Sequence, residues 1–98
     1  MATATTEREG DTLRVQGDLD FDSVATLWNE TEPLFDSNPP ARIDLQGVRH
    51  ANSAGVALLV AWLGQVQRHR KSVIFVNTPA QMRAIIEVAD LDTVLPLA

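Results

Sequence analysis

Cysteine is absent from this 98-residue chain, which excludes disulfides and thiolate metal sites. Long apolar runs are missing too: the longest, Val56 to Leu63, falls well short of the roughly 18 residues a membrane span needs. The first nine residues, Met1 to Glu9, lack the apolar stretch of a secretory signal. Basic residues are few, with 8 Lys and Arg against 13 Asp and Glu and a net charge of −5. That balance argues against a nucleic-acid binder, because phosphate contacts need clustered cations. The one basic cluster, Arg68-His69-Arg70-Lys71, falls at a predicted helix end, where cations complement the dipole. Neither histidine, His50 nor His69, belongs to an HxH, HExxH or HxxxH pair, so no zinc or other metal site is expected. No glycine-rich loop ends in Lys-Ser/Thr, so the chain has no P-loop of its own, and no cofactor is expected. The length suits a single domain over residues 1–98 with one core, and a cytoplasmic globular protein.

What is present is a regular succession of elements. Thr12-Leu13-Arg14-Val15-Gln16 alternates with period two, as a strand with one wet face does. Gly10-Asp11 before it suits a tight turn, which predicts a polar edge strand over about residues 4–9. Val24, Leu27, Trp28, Leu34 and Phe35 have helical spacing, with Asp20, Asp22 or Ser23 available as N-cap. Ser37-Asn38-Pro39-Pro40 ends that helix. Residues 41–45 read as a short strand with Ile43 and Leu45 on one face, followed by a helix from Ser53 to Arg70. Ser72-Val73-Ile74-Phe75-Val76 is β-branched without alternation, which predicts a central strand buried on both faces. Thr78-Pro79-Ala80-Gln81 has the form of a capping box with proline at the first helical position. It opens a third helix with Met82, Ile85, Ile86 and Ala89 inward, and in the tail Val94 and Leu95 are expected to pack back on the domain. Helical crossovers between consecutive strands imply a partly parallel sheet.

No catalytic set is convincing. Asp44, His50 and Ser53 can be written as a triad, but strand alternation turns Asp44 away from Ile43 and Leu45, and no motif supplies an oxyanion hole. Asp18, Asp20 and Asp22 are explained by an acidic helix start. Ser53, in the loop Asn52-Ser53-Ala54-Gly55, stands where backbone N–H groups are unpaired and the helix dipole is positive. Such a hydroxyl can cap the helix, be phosphorylated, or centre a docking surface. On the second helix, at about 100° per residue, Val56, Leu59, Val60, Leu63 and Val66 form one inward stripe. Trp62 falls at its margin and Leu58 further round, so the apolar arc is wider than one sheet covers. Trp28, Leu58 and Trp62 have two readings, ordinary core or partner surface, and tryptophan is enriched among interface anchors.

The order strand, Asn52-Ser53-Ala54-Gly55, helix resembles the signature of the STAS domain, named for sulfate transporters and anti-sigma-factor antagonists. There it usually reads Asp-Ser/Thr-x-Gly. Gly17-Asp18-Leu19-Asp20 is similar to the Gly-Glu-Leu-Asp that precedes the first helix in many of these domains. The resemblance covers nearly the whole chain. It implies the α/β STAS fold, β-β-α-β-α-β-α, with a mixed, mostly parallel sheet packed with helices. It also implies partner contacts around Trp28, Asn52, Ser53, Ala54, Gly55, Leu58 and Trp62.

Two branches of the family fit this size. In anti-sigma-factor antagonists the serine, here Ser53, is phosphorylated by a kinase. In the MlaB-like branch, a small cytoplasmic subunit binds and supports the ATPase (MlaF-like) of an ABC transporter that moves phospholipids and maintains outer-membrane lipid asymmetry. Leu27-Trp28, Gly55-Val56-Ala57-Leu58-Leu59 and the ending Ala89 to Pro96 resemble the MlaB-like branch, and Asn52 stands where an acid usually precedes the hydroxyl. The resemblance therefore implies a non-enzymatic subunit, peripheral at the inner membrane through its complex, without direct membrane insertion. An anti-sigma-factor antagonist is the alternative. A small-ligand sensor ranks third, because phosphate-cradling glycines and an aromatic sandwich are missing.

Overall fold

The computed structural model describes residues 3–98. Strands β1 (Ala4–Glu9) and β2 (Thr12–Leu19) form an antiparallel hairpin in which Glu9 pairs with Thr12. Its two-residue turn needs the positive φ that Gly10 adopts, +60°. Helix α1 (Phe21–Ser37), strand β3 (Arg42–Ala51), helix α2 (Ser53–Arg68), strand β4 (Ile74–Val76) and helix α3 (Ala80–Val88) follow. The sheet order is β1-β2-β3-β4, with β2, β3 and β4 parallel. This is the expected STAS arrangement of one mixed sheet with three helices.

Parallel neighbours joined by right-handed helical crossovers put α1 and α2 on the same side of the sheet. There α1 packs on α2 and α2 on α3. The helices cover Leu13, Val15, Ile43 and Leu45, which are essentially inaccessible to water. Arg14, Gln16 and Gln46 point to the opposite, uncovered face, which accounts for the period-two pattern of β2. No helix among the described residues is long and apolar enough to cross a membrane.

Several expectations need correction. Strand β3 runs for 10 residues instead of the expected five. Arg14 pairs with Asp44 but Gln16 with Gly47, and Gly17 pairs with Val48 but Asp18 with His50, so β3 carries an extra residue at two places. These bulges break the alternation and return Val48 and Ala51 to the buried face. Strand β4 is an edge of only three residues, not a central strand. Phe75 is buried, Ile74 lies open to solvent, and the tail bridges the outer edge through Phe75 and Leu97.

The capping box at α3 does not form. Pro79 is the N-cap, without a side-chain bond, and the Gln81 amide oxygen instead accepts from the Ala51 N–H at 3.2 Å. Thr78 is left with a buried hydroxyl that has no partner among the described residues. On α3, Met82 and Ile86 are buried and Ile85 partly so, whereas Ala89 faces solvent. In the tail Leu95 packs inward and Val94 does not. Helix α2 ends at Arg68, and Val60, expected inward, is exposed.

Candidate functional site

Strands β2 and β3 end side by side at Leu19 and Ala51, and the chain turns there into α1 and α2. The start of α1 is fixed by a reciprocal cap. The Asp20 carboxylate accepts from the N–H groups of Asp22 and Ser23, and the Ser23 hydroxyl accepts from the Asp20 N–H at 3.0 Å. At α2 the cap is Asn52, whose side-chain oxygen accepts from the Ala54 N–H at 2.9 Å. Ser53 is therefore not the cap. It is the first helical residue, and its side chain is exposed. Gly55 lies beneath it, where a Cβ would come within 2.9 Å of the Leu19 Cβ. Glycine at this position lets α2 seat on the end of β2, so Gly55 shapes the loop from below and presents no side chain to a partner.

From these two starts, a groove of about 410 Å³ runs along the seam between the helices. Phe21, Val24, Ala25 and Trp28 line it from α1, and Ala54, Ala57, Leu58 and Ala61 from α2. Its lining is apolar throughout. Phe21 is 71% exposed at the mouth, Trp28 is half-buried along the wall, and Ala54 and Leu58 form a nearly inaccessible floor. The remaining expected contact residues therefore meet here, apart from Trp62.

Trp62 is fully buried and offers nothing to a partner. Its indole stacks on Phe35, with centroids 5.6 Å apart and planes 4° from parallel. Its Nε1 donates to the Thr31 hydroxyl at 3.0 Å, and that hydroxyl donates to the Leu27 carbonyl at 2.7 Å. Helix α2 carries a wide apolar arc because α1 and α3 flank it on both sides. Phe21, Val24, Ala25, Ala57 and Ala61 line the site without being among the expected contact residues. The legible signal was the small-residue spacing Ala54, Ala57, Ala61 along one helical face.

Asp18 and Asp20, at this end of β2, have structural roles. Asp20 caps α1, and Asp18 pairs with Arg49 at 3.5 Å. No cluster able to hold a metal ion occurs among the described residues. The Asp44, His50 and Ser53 trio is not assembled. Asp44 lies on the open face of the sheet, where it accepts from the Asn77 amide at 3.0 Å and the Gln46 N–H at 2.9 Å. The Asn77 bond holds its carboxyl below the ordinary carboxylate range. Partial desolvation opposes this, and the Gln46 N–H and the charges of Arg14 and Arg42 assist it. His50 lies instead at the β2 and β3 ends, beside Asn52 and Gln81.

The family model described as the MlaB STAS domain matches residues 2–96. A chain of the Acinetobacter MlaFEDB complex, in its ATP-bound state, is similar at 26% identity and TM-score 0.82, over 96% of this chain and 99% of that one. An anti-sigma-factor antagonist from Mycobacterium paratuberculosis is similar in fold, at 22% identity and TM-score 0.77, over 99% of this chain and 85% of that one. The phosphorylated form of the Bacillus cell-fate determinant SpoIIAA shares the fold at 17% identity and TM-score 0.70, over 97% and 90% of the two chains. No curated protein matches the chain.

Proposed function

The chain belongs to the MlaB-type STAS domain family, and from that premise we propose that it is a non-catalytic subunit that docks on the ATPase of an ABC transporter. The observation that carries this reading is the apolar groove between α1 and α2 beside the exposed Ser53, in a chain similar along its whole length to the MlaB subunit of a transporter complex. An open apolar seam rimmed by helix starts is the physical form of a protein contact. Trp28 is its aromatic anchor, and Ser53 precedes the groove residue Ala54 at the start of α2. The transporter moves phospholipids in maintaining outer-membrane lipid asymmetry, and the chain sits in the cytoplasm, held at the inner membrane through the MlaF-like ATPase.

Copurification with the transporter's ATPase subunit tests the proposal. We expect a stoichiometric complex without turnover by this chain alone, and Ser53→Arg should disrupt it while melting stays nearly unchanged. Failure of the folded wild-type chain to retain the ATPase would overturn the reading.

The second reading, an anti-sigma-factor antagonist switched by phosphorylation, draws on the exposed Ser53 hydroxyl. A phosphate there adds close to two negative charges at a helix start that favours them. Intact mass of the protein from its native cells separates the two. A transporter subunit is expected unmodified, whereas stoichiometric phosphoserine at position 53 that governs binding would establish the antagonist.

A further inference from the structure

The helix on one wall of the groove carries charge of one sign. Helix α1 carries Asp22, Glu30, Glu32 and Asp36 and no basic residue, and α2 has no charged residue before Arg68. Position on the helix decides which of these acids a docked partner meets. Glu32 follows Trp28 by four residues and continues the same face, one turn beyond the apolar lining. Asp22 flanks Phe21 at the mouth. Glu30, two residues from Trp28, points to the far side of the helix. Asp36 is already engaged, accepting from Gln65 at 2.8 Å and facing His69 at 3.6 Å. Asp22, Glu30 and Glu32 are exposed and make no ion pair among the described residues. The groove is therefore apolar along its lining, with the unpaired Glu32 one turn beyond Trp28 on the same face of α1 and the unpaired Asp22 next to Phe21 in the chain. The lining from Phe21 to Trp28 covers seven residue steps, about 10 Å, which suits about two turns of a docked helix.

We infer that the groove takes an apolar segment of the partner ATPase bearing Lys or Arg beside it, and that Glu32, with Asp22, selects that partner by its charge. This inference rests on the transporter reading and adds the chemistry of the partner surface. Apolar burial supplies the affinity, and the acids supply orientation, encounter rate and rejection of acidic competitors.

Glu32 is the residue to test, because Asp22 also supports the start of α1 through the helix dipole. Binding to the purified ATPase subunit is measured for wild type, Glu32→Gln, Glu32→Lys and Glu30→Lys. The last two change net charge equally on opposite sides of α1. At about 0.05 M salt, Glu32→Lys is expected to weaken binding about ten-fold, mainly through slower association, with Glu32→Gln intermediate. Glu30→Lys is expected to stay within about two-fold, and the Glu32 effect should shrink at about 0.5 M salt as screening sets in. All variants should melt with the wild type. Equal effects of Glu32→Lys and Glu30→Lys, with wild-type binding intact, would overturn this inference and leave the transporter reading standing. No wild-type binding would overturn both.

Discussion

The seam between α1 and α2 is closed at one end and open at the other, and the same two helices make both. Toward their C-terminal ends Phe35 and Trp62 fill the interval by stacking, Thr31 satisfies the indole N–H, and Gln65 closes the edge by donating to Asp36. Toward their N-terminal ends Ala25, Ala54, Ala57 and Ala61 stand where large side chains would be needed to fill the gap. The backbone path is shared, so side-chain volume decides which end is core and which is groove. Each end has its own tryptophan. Trp62 completes the packing, and Trp28 lines the wall of what remains unfilled.

Trp62→Ala attacks the closed end and carries the largest expected effect. It removes the stacked partner of Phe35 from a fully buried site and leaves a cavity, at a cost of about 3–5 kcal/mol in stability. In a 98-residue domain such a loss consumes a large part of the total stability. Urea unfolding measures it. A loss below about 1 kcal/mol would mean that the closed end is not a packed core.

Trp28→Ala attacks the open end, and the expected balance is reversed. Binding to the ATPase should weaken by about 2 kcal/mol, as for an interface anchor, with a stability loss near 1 kcal/mol because the side chain is only half-buried. Titration and unfolding on the same preparation separate the two effects. Wild-type affinity in Trp28→Ala would move the docking surface away from the groove.

The two tryptophans also mark where the sequence was legible. Period two in β2, the Gly10-Asp11 turn, the start of α1 within Asp20, Asp22 or Ser23 and the overall element order were readable because each is set by neighbours a few residues away. The side of α2 on which Trp62 lies was not, since a helical wheel has no record of a second helix packed against its flank. The extent of β3 was hidden for a related reason: its two extra residues are defined only against β2. Strand β4 looked central from its β-branched run, but centrality belongs to the sheet order and not to the segment. Gln81, placed by spacing in a local cap, is drawn to the Ala51 N–H at the end of β3. The groove was half legible. Trp28 and Leu58 read from the sequence as either core or partner surface, and the small-residue spacing Ala54, Ala57, Ala61 becomes a groove only when the two helices are set side by side.

The smallest expected effects come from the pair Asn52 and Ser53, which precede the groove residue Ala54 at the start of α2, and they sharpen the comparison by separating support of the open end from contact beside it. Asn52 satisfies the Ala54 N–H, so Asn52→Ala leaves a helix-start donor without its side-chain partner and should cost about 1 kcal/mol in stability. Ser53 follows the cap with its side chain exposed, so Ser53→Ala should leave melting unchanged within a few tenths of a kcal/mol. Serine at an exposed first helical position loses nothing internal when its hydroxyl goes, and alanine is the better helix former. Binding orders the two differently. Ser53→Ala should weaken the ATPase complex by about 0.5–1.5 kcal/mol if the hydroxyl bonds to the partner, because one buried group is then left unpaired. Asn52→Ala should weaken binding only as far as fraying displaces Ser53 and Ala54. Hydrogen exchange at the Ala54 amide reports that fraying directly, and it should quicken in Asn52→Ala and stay at the wild-type rate in Ser53→Ala. Faster exchange in Ser53→Ala, with a loss of melting temperature to match, would return the capping role to the serine.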